Sequence, residues 1–195
     1  ILSFLTSKEI LGIFSIAKRI ANGVALPCQI LNAENAPKFI EKRSNTEQFN
    51  AYLKSQMNMF FFVGFLLPLC LIPMMPLVLE FVHIDNDNVQ VYYLIMSAFL
   101  LSRAIDGFTG PTFNLIRIFG DLRKATIIQI FVYTLMLVSI LASALITKWL
   151  ALGVSIAVTT ALIMTAFLSS INIIYTLLLR KNHSIDMTAF YFFRS

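Results

Sequence analysis

Charge is what this chain has least of. Only 13% of its 195 residues are Asp, Glu, Lys or Arg, against 58% hydrophobic, and the mean hydropathy is +0.79. A soluble domain of that composition would have too little polar side chain to cover its surface, so an all-α, polytopic integral membrane protein is expected. Cysteine is scarce too. Cys28 and Cys70 lie inside apolar segments with no CxxC and no neighbouring His, which argues for small core residues rather than a metal centre. The two histidines, His83 and His183, fall in a connection and near the tail. No Gly-rich phosphate loop is present, and no Ser or Cys has a base at workable spacing. Neither an enzyme, nor ATP hydrolysis, nor a cofactor is expected. The opening ILSFLTSKEI has no Met and no signal-peptide pattern, so the sequence reads as a fragment.

What is present is a succession of long apolar stretches. Five membrane helices are expected, at about 10–31, 57–82, 89–118, 125–147 and 149–179. The first carries Lys18, Arg19 and Asn22, and Pro27 near its end. Residues 32–55 turn polar, Ala36–Pro37 marks a helix boundary, and a water-facing connection with a short surface helix from Thr46 is expected. The second stretch holds Pro68, Pro73 and Pro76, tolerable in a bent membrane helix. Residues 125–147 contain no charge and span roughly 35 Å at about 1.5 Å per residue. Lys148 and Trp149 suit a short interfacial turn.

The net charge of +5 and pI near 9.4 could point to nucleic acid, but no dense basic patch with interleaved aromatics occurs. The cations instead alternate with the turns. Lys38, Lys42, Arg43, Lys54, Arg117, Arg123, Lys124, Arg180, Lys181 and Arg194 fall on one side, and only Lys8 and Lys148 near helix ends on the other. The positive-inside rule then places 32–55, the GDLRK turn and the 180–195 tail in the cytoplasm, with HIDNDN outside.

Three cations and one acid remain at membrane depth: Lys18, Arg19, Arg103 and Asp106. A charge at the centre of a membrane helix costs about 2.5–3.5 kcal/mol on insertion scales, so it faces protein or a wet cavity rather than lipid. Arg103, Asp106, Gly110 and Asn114 recur at helical spacing, and Lys18 and Asn22 are four apart. One reading is that these stripes line a hydrated cavity whose surplus of cations wants an anionic guest, Arg being suited to phosphate. Another is that Arg103 and Asp106 neutralise each other and that Lys18 and Arg19 hold a missing part of the chain. A third has Asp106 titrate in a coupled ion cycle.

The run EILGIFSIAKRIANG followed by NAPKF resembles the helix-and-loop signature of bacterial polysaccharide exporters, a G-x-(F/Y)-S-x-A-x-(K/R)-(I/L) pattern leading to a Pro at the cytoplasmic end. GPTFNLIRIFGDLRKATIIQI and LALGVSIA are similar to later stretches of the same family, the O-antigen and capsule flippases of the superfamily that includes multidrug extrusion transporters. The resemblance implies two helical bundles facing a central cavity and a lipid-linked oligosaccharide moved across the bacterial inner membrane. This chain would then be the C-terminal part, unable to transport alone. Polysaccharide polymerase and glycosyltransferases would be its partners. Arg19 falls on the basic position of the first motif; Arg103 and Asp106 match none. A multidrug or cation antiporter, and a non-transporting scaffold of a polysaccharide-assembly complex, are the rival readings.

Overall fold

The computed structural model describes residues 8–81, 89–120, 122–150 and 156–183, and every element in them is helical. In chain order these are α1 (Lys8–Lys42), α2 (Thr46–Phe60), a π turn (Phe61–Leu66), α3 (Leu67–Phe81), α4 (Val89–Thr109), α5 (Thr112–Phe119), α6 (Leu122–Leu150) and α7 (Ile156–His183). Four stretches are long and apolar enough to cross a membrane: Thr46–Leu77, Val89–Thr109, Leu122–Ile146 and Ile156–Lys181. The chain is therefore an all-α helical membrane protein. HIDNDN and the 184–195 tail lie outside the described residues.

Three boundaries differ from the sequence expectation. The connection expected over 32–55 is almost wholly helical, because α1 runs through Pro37 to Lys42 and α2 begins at Thr46. Two anchors hold the strand of chain that Pro37 would otherwise release. Phe39 is fully buried against Phe49 and Tyr52 of α2, and the Asn35 amide donates to Gln56 at 2.6 Å while accepting from the Tyr52 hydroxyl. The short turn between α1 and α2 is closed by Asn45, whose side-chain oxygen accepts from the backbone N–H of Glu47 and Gln48.

The second membrane stretch, expected to be bent by its prolines, is helical throughout but carries a π turn ahead of Pro73 and Pro76, which sit inside α3. Pro68 has no N–H to give to the Gly64 carbonyl, so the helix widens and Leu67 donates instead to Phe62. The third stretch, expected to be continuous over 89–118, breaks at Gly110 and Pro111, where Gly110 takes φ +68°. Lys148 and Trp149, expected in a turn, are helical, since α6 continues to Leu150.

Helix α4 is the hub, packed against α1, α3, the π turn and α7, while α6 leans mainly on α7. Its contacts are made by small residues, as membrane helices require when no hydrophobic force draws them together. Ala98 and Ser102 of α4 lie opposite a run at four-residue spacing on α7, Ala157, Ala161, Thr165 and Ser169, all buried, and Thr165 donates to the Ala98 carbonyl at 2.8 Å. Two apolar cores result. One gathers Phe14, Ala17, Ile95, Phe99, Met75 and Val158; the other gathers Phe39, Leu53, Leu115, Val132, Tyr175 and Leu179.

Between the cores, backbone meets backbone. A Cβ on Gly64 would lie 2.6 Å from both Cys28 Sγ and Gly107 Cα, and one on Gly107 would run into the Gly64 carbonyl. Glycine is required at both positions by this approach. Gly107→Ala is expected to cost about 1–3 kcal/mol by overpacking, whereas Gly23→Ala, with open space around it, should gain up to about 1 kcal/mol from helix propensity. Unfolding curves of the two variants in detergent micelles should therefore move in opposite directions.

Candidate functional site

Helix α4 carries the charge at its lower third. One turn of helix brings Arg103 and Asp106 to the same face, and Nη1 of the arginine lies 3.0 Å from Oδ2 of the aspartate. The other arm of the guanidinium reaches across to α1, where Nη2 donates to Asn22 Oδ1 at 2.5 Å. The remaining carboxylate oxygen accepts from the Asn172 amide on α7. Four side chains thus tie three helices at one level, each polar atom of the ion pair that faces protein being matched by a partner of opposite polarity. Asn172 was not singled out from sequence. It is the only amide in the charge-free stretch from Ile156 to Leu179, and that isolation is the signal that could have found it.

Beside this network lies a cleft of about 420 Å³. Arg103, Asp106 and Asn172 form one wall. Gln29 and Asn32 of α1, and Thr112 and Asn114 of α5, form the polar part of the opposite wall, while Cys28, Gly64 and Gly107 meet at its side. Asn114 reaches the cleft despite the break between it and Asp106. Its amide donates to the Asn32 carbonyl at 3.1 Å and lies 3.3 Å from Asn32 Oδ1, so α5 is stitched to α1 even though it no longer continues α4. The Gly110–Pro111 break and the π turn both border this space. Irregular backbone at membrane depth is tolerated where it is packed in protein or lines a cavity, and the cleft supplies such a place.

The six residues proposed from sequence therefore separate into groups. Arg103, Asp106 and Asn114 line the cleft. Asn22 is bound to Arg103 and, with Lys18, borders a second and smaller cavity on the far side of the guanidinium. Lys18 and Arg19 are exposed on α1, and Arg19 borders neither space. The two stripes expected to line one hydrated cavity are thus distributed among the cleft, the smaller cavity and the exposed face of α1. Lys18 and Arg19 stand four and three residues before Asn22, on either side of it, and only Lys18, on the side nearer the buried alanines, reaches the smaller cavity. The amides Gln29, Asn32 and Asn172, absent from the sequence expectation, supply much of the polar lining instead.

The network's balance is open to a direct measurement. Removing one charge leaves the other without a partner in a partly buried place, at a cost of about 1–3 kcal/mol or more, whereas removing both leaves apolar groups of similar shape. Asp106→Leu is therefore expected to destabilise the folded protein more than the double variant Arg103→Met with Asp106→Leu, in chemical unfolding in micelles. Comparison of the chain with protein families, with characterised proteins and with solved structures finds no match.

Proposed function

We propose that this chain forms one half of a membrane transporter that passes a lipid-linked oligosaccharide from the inner to the outer leaflet of a bacterial cytoplasmic membrane, the 180–195 tail lying in the cytoplasm. The observation that carries this reading is the cleft of about 420 Å³ at the level of an intramembrane ion pair, edged by amides and by two irregular backbone segments. Amides and a guanidinium offer hydrogen bonds to phosphate oxygens and sugar hydroxyls. The irregular segments sit where a helix could bend between two access states. A cleft of this size accommodates a headgroup portion of such a substrate, with the rest of the chamber supplied by the second bundle that the resemblance to polysaccharide exporters implies. Asp106 already engages the Arg103 guanidinium, so the surplus of positive charge rests on Lys18 and Arg19.

A second reading is favoured by the closure of the network itself. Because Arg103 and Asp106 are each bonded to an amide on another helix, the cluster also suits a non-transporting scaffold in which polar groups serve only as interhelical glue. Substitution of Gln29 separates the two. Its side chain is exposed in the cleft wall and joins no interhelical bond among the described residues, so Gln29→Ala should leave the unfolding midpoint unchanged. In cells carrying the complete gene, transport of the lipid-linked sugar is expected to fall about tenfold, the worth of one hydrogen bond to a charged group. Arg19→Ala and Arg103→Ala should reduce it as well, the latter together with stability. Undiminished transport in all three variants overturns the assignment of the cleft as the substrate site.

A further inference from the structure

Arg103 borders two spaces. One is the cleft described above; the other is a cavity of about 30 Å³ enclosed by α1, α4 and α7. Its polar edge consists of Lys18, Asn22, Ser102 and Arg103, its remainder of apolar side chains such as Phe99 and Leu168. The inventory of this edge is one-sided. Lysine and arginine carry donors and no acceptor. Asn22 has given its carbonyl oxygen to Arg103, which leaves the NH₂ end of the amide. Ser102 is 3% exposed, and its hydroxyl has no hydrogen-bond partner among the described residues, although a buried hydroxyl left unpaired is costly. No carboxylate borders the cavity. Asp106 lies on the other side of the guanidinium, held by Nη1 and by Asn172.

We infer that this cavity is a binding site for one small monovalent anion of the halide class, held by the Ser102 hydroxyl, the Asn22 amide and the cationic groups of Lys18 and Arg103. A water molecule would satisfy Ser102 but would leave the Lys18 ammonium, which has no ion-pair partner among the described residues, without a countercharge; Arg103 already has Asp106. An anion satisfies all four, and charge-assisted bonds are about twice as strong as neutral ones. Size narrows the choice. The space is small, about 30 Å³, room for one to a few waters, which suits chloride or bromide better than a bulkier tetrahedral oxyanion such as sulfate. The assignment is independent of the transport reading, since it uses the cavity on the opposite face of Arg103 and concerns binding alone.

The test is thermal unfolding of the full chain in nanodiscs of zwitterionic lipid, in sodium chloride or bromide against sodium gluconate or sulfate at fixed ionic strength. Chloride and bromide are expected to raise the unfolding midpoint in a saturable manner, and gluconate and sulfate are not. Ser102→Ala and Lys18→Gln should each raise the half-saturating chloride concentration about tenfold. Lys18 is exposed, so its variant keeps the fold and carries the test if Ser102→Ala does not fold. An equal response to chloride and gluconate, or half-saturation in Lys18→Gln equal to that of the parent, overturns the inference.

Discussion

The Arg103–Asp106 pair, tied outward to Asn22 on α1 and Asn172 on α7, is the constraint on which the rest of the bundle depends. Apolar packing cannot choose among helix registers in a membrane as it does in water, because lipid tails are as apolar as leucine. A polar contact can. Sliding α1 or α7 by one turn against α4 would leave a guanidinium or a carboxylate without its amide at a depth where an unpaired charge is costly. The network therefore fixes the level of three helices, and the two apolar cores on either side of it follow from that level. The small residues Ala98, Ser102, Ala161, Thr165 and Ser169 let the helices approach closely enough for those bonds to form.

The same requirement explains why the polar region coincides with the irregular backbone. Close approach at Gly64 and Gly107 brings the π turn against α4 immediately next to Asp106. Pro68 forces the π register, and Gly110 and Pro111 end α4, so both bordering chains lose regular hydrogen bonding near the same level. Backbone groups released there need partners. Just past the Gly110–Pro111 break, the Asn114 amide bonds the Asn32 carbonyl of α1 and so ties α5 back to the bundle. Polar side chains and broken helices are thus two consequences of one local departure from close apolar packing, and the cleft is the space that departure leaves.

Much of this was legible in the sequence, though unevenly. The helical class, four of the five expected membrane stretches (the first, over 10–31, is not among the candidate spans) and the pairing of Arg103 with Asp106 follow from hydropathy and from the cost of charge in an apolar run. These are local properties of the chain. The continuation of α1 through Pro37 was not legible, because it is enforced by Phe39 and Asn35 meeting residues of α2. Nor was the division of Lys18, Arg19 and Arg103 among different surroundings, which depends on which face of α1 meets α4. The partners of Arg103 and Asp106 lie 81 and 66 residues away in sequence, and periodicity within one helix says nothing about contacts at that separation. The Gly64–Gly107 approach is of the same kind: each glycine alone reads as an ordinary small residue of a membrane helix.

The exposed cations of α1 complete the physical picture. Lys18 and Arg19 are exposed in the N-terminal third of α1, Arg19 on the face opposite the buried Ala17, Ala21 and Ala25 and Lys18 at the edge of that buried face. If they faced acyl chains, each would cost about 2.5–3.5 kcal/mol on insertion scales, together more than half of the lower end of the stability range of about 5–15 kcal/mol for a typical domain. Long side chains can lift their charges toward the interface, but only when they lie near it. This face of α1 must therefore meet water or polar protein. Arg103, by contrast, already has its countercharge inside the bundle. The Arg103–Asp106 pair leaves the interior network close to neutral, and the further positive charge of α1 is displayed on its exposed face.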